Sequence, residues 1–270
     1  MAHVIQDKFG TPLGDTSLAI ALGMWPGVQG QHKFFGGTVS VSNTTISDVT
    51  SNTTYQWLDP SSFGAISLTS TSSQDAIGGG GNPYLHVFGV TNSYDFRDEA
   101  IILDGLNAVT TEHDDYIHVW RMHGGAKPNG TDVNSIQEAG DLNATIAGLT
   151  LSKIHQGNGQ TLSSPFIVPR GFTAAVKFGK VSVGKGKSIN GCFHIRETAI
   201  NSDGTLMFGP DRTAHEFNLL ENSYDYPFSS PLPVPSMYRI EVQASVDAQT
   251  ARVSGGYDIT LWPDNFNPNS

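Results

Sequence analysis

Cysteine is nearly absent: Cys192 is the only one in the chain, so neither an intrachain disulfide nor a multi-cysteine zinc site can form. Charge is sparse too, at 15% of residues against ~25% in an average globular protein. No apolar run approaches the ~18–20 residues of a helical membrane span. The formal net charge of −10 denies the chain the positive surface that general nucleic-acid binding needs. Met1-Ala2-His3-Val4-Ile5-Gln6-Asp7 has no basic stretch followed by an apolar core, so no signal peptide is expected. The sequons at Asn43, Asn52, Asn129 and Asn143 then carry little meaning.

What is present is turn-forming and hydroxyl-rich. Glycine (30) and proline (14) are abundant among Ser, Thr and Asn, while aromatics reach 10%, too apolar a mixture for a disordered chain. Apolar residues alternate with polar ones from Thr38 onward, and the resulting short strands recur every ~8–12 residues between turn signals. Tyr84 to Val90, Asp98 to Gly105 and Asp115 to Met122 are the clearest. In the last, Tyr116, His118, Trp120 and Met122 are expected on one face, with Ile117, Val119 and Arg121 on the other. Only residues 211–220 show helical spacing. Pro227, Pro231, Pro233 and Pro235 read as an extended, polyproline-like connector.

The expected fold is all-β, with one or two antiparallel β-sandwich, jelly-roll-like units and an irregular N-terminal arm. The expected divisions are an arm at 1–36, a sandwich at 37–157, a second sandwich at 158–264 and a tail at 265–270. The arm is too rich in glycine for a core of its own, yet it holds Trp25, Phe34 and Phe35, which points to docking on a neighbouring subunit.

Catalytic patterns are weak. Gly179 to Lys185 nearly meets the phosphate-loop spacing, but Gly186 stands where a magnesium-binding hydroxyl belongs, and no helix follows. Four glycines, Gly78 to Gly81, read as a flexible loop. Glu112-His113-Asp114-Asp115 with His118 and His123 has metal-ligand chemistry, but five positions part the two histidines, onto opposite faces of a regular strand. Asp98-Glu99 and Asp114-Asp115 are carboxylate pairs without a known separation. No catalytic, cofactor-binding or metal residue is assigned, and the chain is read as a non-enzyme.

Charge distribution says more than its total. Between Asp141 and Glu197 there is no acid, while Lys153, Arg170, Lys177, Lys180, Lys185, Lys187 and Arg196 are all positive. Lys177, Lys180, Lys185 and Lys187 are therefore candidates for an interaction with an acidic surface, including one on another copy of this chain. Such a contact is head-to-tail, because identical basic patches repel across a two-fold. Tyr224, Tyr226 and Phe228 are candidate aromatic contacts, for a neighbouring subunit or for a host glycan.

The order of several motifs resembles a virion structural protein family of tailed bacteriophages, common in marine and cyanobacterial phages. The residues that carry it are Ser72-Ser73-Gln74-Asp75-Ala76, Gly78 to Gly81, Ile101-Ile102-Leu103-Asp104-Gly105, Val109-Thr110-Thr111 and Trp120-Arg121-Met122. Gly157 to Leu162, the Val168-Pro169-Arg170-Gly171-Phe172-Thr173 turn and Met237 to Val242 continue it. The resemblance covers residues 69–261. Phe88-Gly89-Val90 departs from the family's Glu-Gly-Leu, and residues 1–60 match nothing in it. It implies a structural component of a tailed-phage virion, in capsid decoration, neck or tail, assembled in the host bacterial cytoplasm. The implied partners are copies of itself, as a trimer or ring, and other virion proteins, without cofactors. A carbohydrate-binding, receptor-recognising protein is the alternative.

Overall fold

The computed structural model describes residues 27–35, 40–42, 47–50, 57–125, 137–184, 188–200, 206–220, 223–246 and 250–265. Trp25, Lys185 and Lys187 lie outside them. In chain order the strands are β1 (Gln29–Phe35), β2 (Ser40–Ser42), β3 (Ser47–Asp48), β4 (Ser67–Ser70), β5 (Tyr84–Thr91), β6 (Phe96–Ile102), β7 (Val109–Thr110), β8 (Tyr116–Gly124) and β9 (Leu142–Ile146). They continue as β10 (Leu149–Ile154), β11 (Phe166–Ile167), β12 (Phe172–Val183), β13 (Ser188–Ile200), β14 (Leu206–Leu220), β15 (Ser223–Val234), β16 (Arg239–Val246) and β17 (Thr250–Pro263). The fold is all-β and its ladders are antiparallel.

Two sandwiches result. The first faces sheet β10-β9-β4-β7 against sheet β6-β5-β8, around Ile66, Leu68, Leu85, Val87, Leu142 and Ile146. Strand β9 shows why it forms: Leu142, Ala144 and Ile146 are buried while Asn143 and Thr145 are not, the period-2 pattern of a half-buried strand. Each fully buried Ile or Leu contributes about 1.5–3 kcal/mol. The second faces sheet β1-β17-β12-β15 against sheet β11-β16-β13-β14, around Val176, Val181, Val242, Val253, Tyr257 and Ile259.

The chain order corrects the expected divisions. β1 pairs with β17 at all seven of its positions, β2 also pairs with β17, and β3 with β16. The second sandwich is therefore built from β1 to β3 together with β11 to β17, and the first is inserted between them. Residues 29–35 are a strand of the chain's own sheet rather than part of a separate arm, and β2 and β3 do not belong to the first sandwich. Short segments that cannot bury a face alone gain a register from long β17 and β16. That pairing spans about 200 residues of sequence and leaves no local signal. Residues 157–160 lie where the chain leaves β10 and crosses toward β11.

Two local readings are also corrected. Residues 211–220 are strand, not helix, because β14 pairs with β13 from Ser188↔Leu220 to Ile200↔Leu206. Tertiary pairing overrides a marginal helical spacing. The proline-rich stretch is the edge strand β15, which pairs only with β12, a place where missing N–H donors are tolerated.

Strand β8 departs from simple alternation. Its ladder with β5 skips a residue between Val119 and Arg121 and another between Tyr116 and His118. Each bulge slips the phase by one. As a result Tyr116, Val119 and Met122 enter the first core, while Trp120 enters the second. Ile117 joins Val90, Tyr94 and Ile167 in a small cluster bridging the sandwiches. The Trp120 and Phe166 rings meet edge to face at 5.0 Å across the same seam.

Candidate interaction surface

The residues that carry the family resemblance are occupied with holding loops in place. Asp75 is wholly buried. One carboxylate oxygen accepts the Ala139 N–H at 2.8 Å, and the other accepts the Gly140 N–H at 3.0 Å and the Ser70 hydroxyl at 2.5 Å. This fastens residues 70–75 to the start of the β9 region, 64 positions away. The glycine run is a loop tied by hydrogen bonds. Gly79 N–H donates to Ala76, Gly81 N–H to Gln74, and Gly80 N–H to the Gln74 side chain. A Cβ on Gly81 would sit 2.1 Å from Asp75 Oδ1, so glycine here permits close packing rather than motion. The turn before β8 is likewise held by Glu99, which accepts Glu112 N–H at 2.8 Å and the Tyr116 hydroxyl at 2.6 Å. Burial, then the bond to Glu99, raises the Tyr116 pKa. Residues 179–183 of the near phosphate loop lie inside β12.

The described part of the first sandwich carries exposed apolar side chains. Among the described residues the large hydrophobic side chains left in water are Phe63, Ile77, Phe96, Ile102 and Leu106, all between positions 63 and 106. Ile77 is 72% exposed, Leu106 61% and Ile102 51%. An Ala76↔Asp104 bridge draws the loops carrying Ile77 and Leu106 together. On edge strand β6, Phe96, Asp98, Ala100 and Ile102 point outward. Beside them on β5 are half-buried Tyr84, His86 and Phe88, registered as Tyr84↔Ile102, His86↔Ala100 and Phe88↔Asp98. His86 stacks on His123 of β8 at 5.1 Å, and Phe88 on Phe96 at 6.2 Å. His118, by contrast, is buried at the seam between the sandwiches. One end of this face is covered by the chain itself, because Phe96 meets the Trp120 ring edge to face at 5.5 Å and Phe88 packs against the second core. The face was legible only as ambiguity: the run from Tyr84 to Phe88 is apolar on both faces, which equally describes a strand buried on both sides.

The structure places four of the sequence candidates on neighbouring strands of the second sandwich but not on one face, since Lys180 points outward and Phe228 packs against the core. Lys177 and Lys180 lie on β12, and Tyr226 and Phe228 on its partner β15, with Gly179 opposite Tyr226. The two rings meet edge to face at 4.8 Å. Lys180 forms a 3.5 Å ion pair with Asp225 on the same chain, both about half exposed, and Lys153 pairs with Asp141 at 2.8 Å. The basic stretch is thus partly neutralised by cross-strand acids that linear spacing does not reveal. An exposed pair of this kind is worth ~0–1 kcal/mol. Lys180→Ala is accordingly expected to change unfolding free energy by less than about 1 kcal/mol in a urea titration. Phe35 is 2% exposed in the second core, so it is no free docking ring. Phe34 and Tyr224 lie on β1 and β15, but their side chains fall outside the described residues.

A bulge at Lys177 shapes a further concavity. Both ladders of β12 skip this residue, pairing Val176 with Ile259 and Phe178 with Asp258. In an unbulged ladder continuing from Val176↔Ile259, Phe178 would instead pair with Tyr257 and face the core. The groove has a volume of about 530 Å³ and is lined by Phe178, Tyr257, Lys180, Asp258, Gln160 and Leu162 among others.

No protein-family model matches the chain, and no curated protein matches it in sequence. Among solved structures it is similar to the VP2 subviral particle of infectious bursal disease virus, at 13% identity and a TM-score of 0.23, over 90% of this chain and 74% of that one. It is also similar to the Gt strain of the same virus, at 10% identity and a TM-score of 0.17, over 89% and 74%. Scores this low establish no shared fold, so any functional reading rests on the molecule's own surfaces.

Proposed function

We propose that the chain is a structural component of a virus particle, and within that class of a tailed-phage virion, acting through protein–protein assembly. One observation carries this reading: among the described residues the exposed large apolar side chains lie on the first sandwich, at Phe63, Ile77, Phe96, Ile102 and Leu106, where they offer a contact surface. The motif residues Asp75 and Gly81 agree, because both serve loop geometry. Partners are further copies of the chain, as a trimer or ring, and other virion proteins. Mass spectrometry of purified particles tests the proposal: the chain is expected at a fixed copy number, and its absence from them rejects a virion role.

Carbohydrate recognition is the second reading. It is favoured by the groove, where Phe178 offers an aromatic face beside Asp258, Lys180 and Gln160, the combination that stacks and hydrogen-bonds a sugar. Micromolar binding of defined sugars on a glycan array, weakened at least tenfold by Phe178→Ala, would support it. A blank array would reject it.

A further inference from the structure

Where the two sandwiches meet, buried cations gather. Lys33 of β1, 4% exposed, donates across the seam to the Trp120 carbonyl of β8 at 2.5 Å, and its Nζ lies 5.6 Å from the Trp120 ring centre. His118 of β8, 1% exposed, has its ring 5.1 Å from that of Trp57 and hydrogen-bonds the Pro165 carbonyl. The guanidinium of buried Arg239, on β16, lies 4.3 Å from the Trp57 ring centre. Half-buried Arg121 of β8 adds a further positive field at Lys33. Facing them from β16 is Glu241, whose two oxygens accept the Trp57 indole N–H at 2.6 Å and the Gln243 amide at 3.2 Å. The same amide reaches Asp48 of β3 at 3.1 Å. From β17, Tyr257 donates its hydroxyl to the Ser164 carbonyl. Burial and then Glu241 raise its pKa and keep it neutral.

We propose that this seam is an acid-responsive hinge: protonation of Lys33 and His118 loads the closed interface with cations that only the opened interface can hydrate, and the sandwiches part while each stays folded. Most of each core is its own; what opening must withdraw is Trp120 of β8, which lies in the second core, and the small Ile117 cluster that bridges the two. Burial, with Arg121 second, brings the Lys33 pKa from 10.5 down to about 7. Burial, then Lys33 and Arg239, holds that of His118 well below 6.5, against the opposing bond to Pro165.

The sign follows from proton uptake. Both groups have depressed values when closed, so closure is favoured most above the ordinary value and loses that advantage as pH falls through the depressed one. For Lys33 the window runs from 10.5 down to about 7. Opening there takes up one proton, so the open population rises about tenfold per pH unit of acidification. Below about 7 Lys33 adds no further dependence, and below 6.5 His118 takes over.

Hydrogen exchange on the full chain between pH 9 and 5, corrected for the intrinsic pH dependence of exchange, tests this at seam amides. The Arg170 N–H, bonded to the Tyr94 carbonyl across the seam, is one reporter. Opening is expected to increase about 50-fold from pH 9 to 7, with amides of β4 and β9 in the first core unaffected. Lys33→Met should flatten that limb, and His118→Gln should flatten the one below pH 6.5 independently. Small-angle scattering should show an increased radius of gyration in acid. Seam protection that stays constant in the wild-type chain overturns the hinge, as does an unaltered profile in a folded Lys33→Met or His118→Gln variant. Loss of both cores together with the seam overturns it as well, since the transition is then global unfolding.

Discussion

Replacing Asp75 with alanine is expected to destabilise the first sandwich by about 3–4 kcal/mol, because several buried donors lose their acceptor together. The Ala139 and Gly140 amides and the Ser70 hydroxyl all converge on this carboxylate. Water reaches the site poorly, as Asp75 is wholly buried, so each orphaned group bears a desolvation penalty of ~1–3 kcal/mol, partly relieved by local relaxation. At ~2–4 °C per kcal/mol for a body of this size, the first thermal transition should fall by roughly 6–16 °C. Asp75→Asn retains one acceptor and introduces a competing donor, so its loss should be intermediate. Circular dichroism melts resolve the two sandwiches if their transitions separate. A decrease of less than about 2 °C in the alanine variant would show that the loop closes without this carboxylate.

Gly255→Ala is expected to strike the second sandwich with similar force, through sterics rather than polarity. A Cβ at this position would lie 1.9 Å from the Lys180 carbonyl oxygen and 2.9 Å from Phe35 Cε2. Strand β17 is held between β1 and β12, so it has no free side toward which to retreat. Overpacking costs ~1–3 kcal/mol where neighbours shift, and contact with backbone on a central strand belongs at the upper end, about 3 kcal/mol. Gly184→Ala is the matched control. Its Cβ would meet nothing within 4 Å, so its urea midpoint should stay near that of the wild type. Equal effects of the two substitutions would contradict the close packing of β1, β17 and β12.

These two positions also show what the sequence could and could not disclose. Alternation identified the segments of β5, β6 and β8, because local apolar-polar patterns need no distant partner. The bulges at Lys177 and within β8 were not legible, since one inserted residue looks like any other until its partner strand is known. Nor was the joining of residues 29–50 to the second half, where seven ladder positions on β17 give the short N-terminal segment its order. Lys33 illustrates the cost of that omission. In sequence it is one lysine beside Phe34 and Phe35, while in the fold it is buried between two sandwiches against Trp120. The contact surface was only half visible. Lys180 and Tyr226 were chosen for charge and aromaticity, but their own chain supplies Asp225 and Phe228 as partners. Ile102 was legible only as part of a strand motif and Leu106 not at all, because an aliphatic residue near a turn is common on any strand.

The most direct measurement is a competition for incorporation into particles. Wild-type chain and an Ile102→Lys/Leu106→Asp variant, distinguished by isotope labelling and each shown to be folded, are supplied together during assembly, and their ratio in purified particles is read by mass spectrometry. Both side chains stand in water in the isolated chain, so the double change should leave its stability within about 1 kcal/mol of wild type. If the first sandwich docks through this surface, particles should contain at least about tenfold more wild type than variant. Placing two charges where apolar side chains would be buried costs more than the roughly 1.4 kcal/mol that a factor of ten requires. Equal incorporation would contradict assembly through this face.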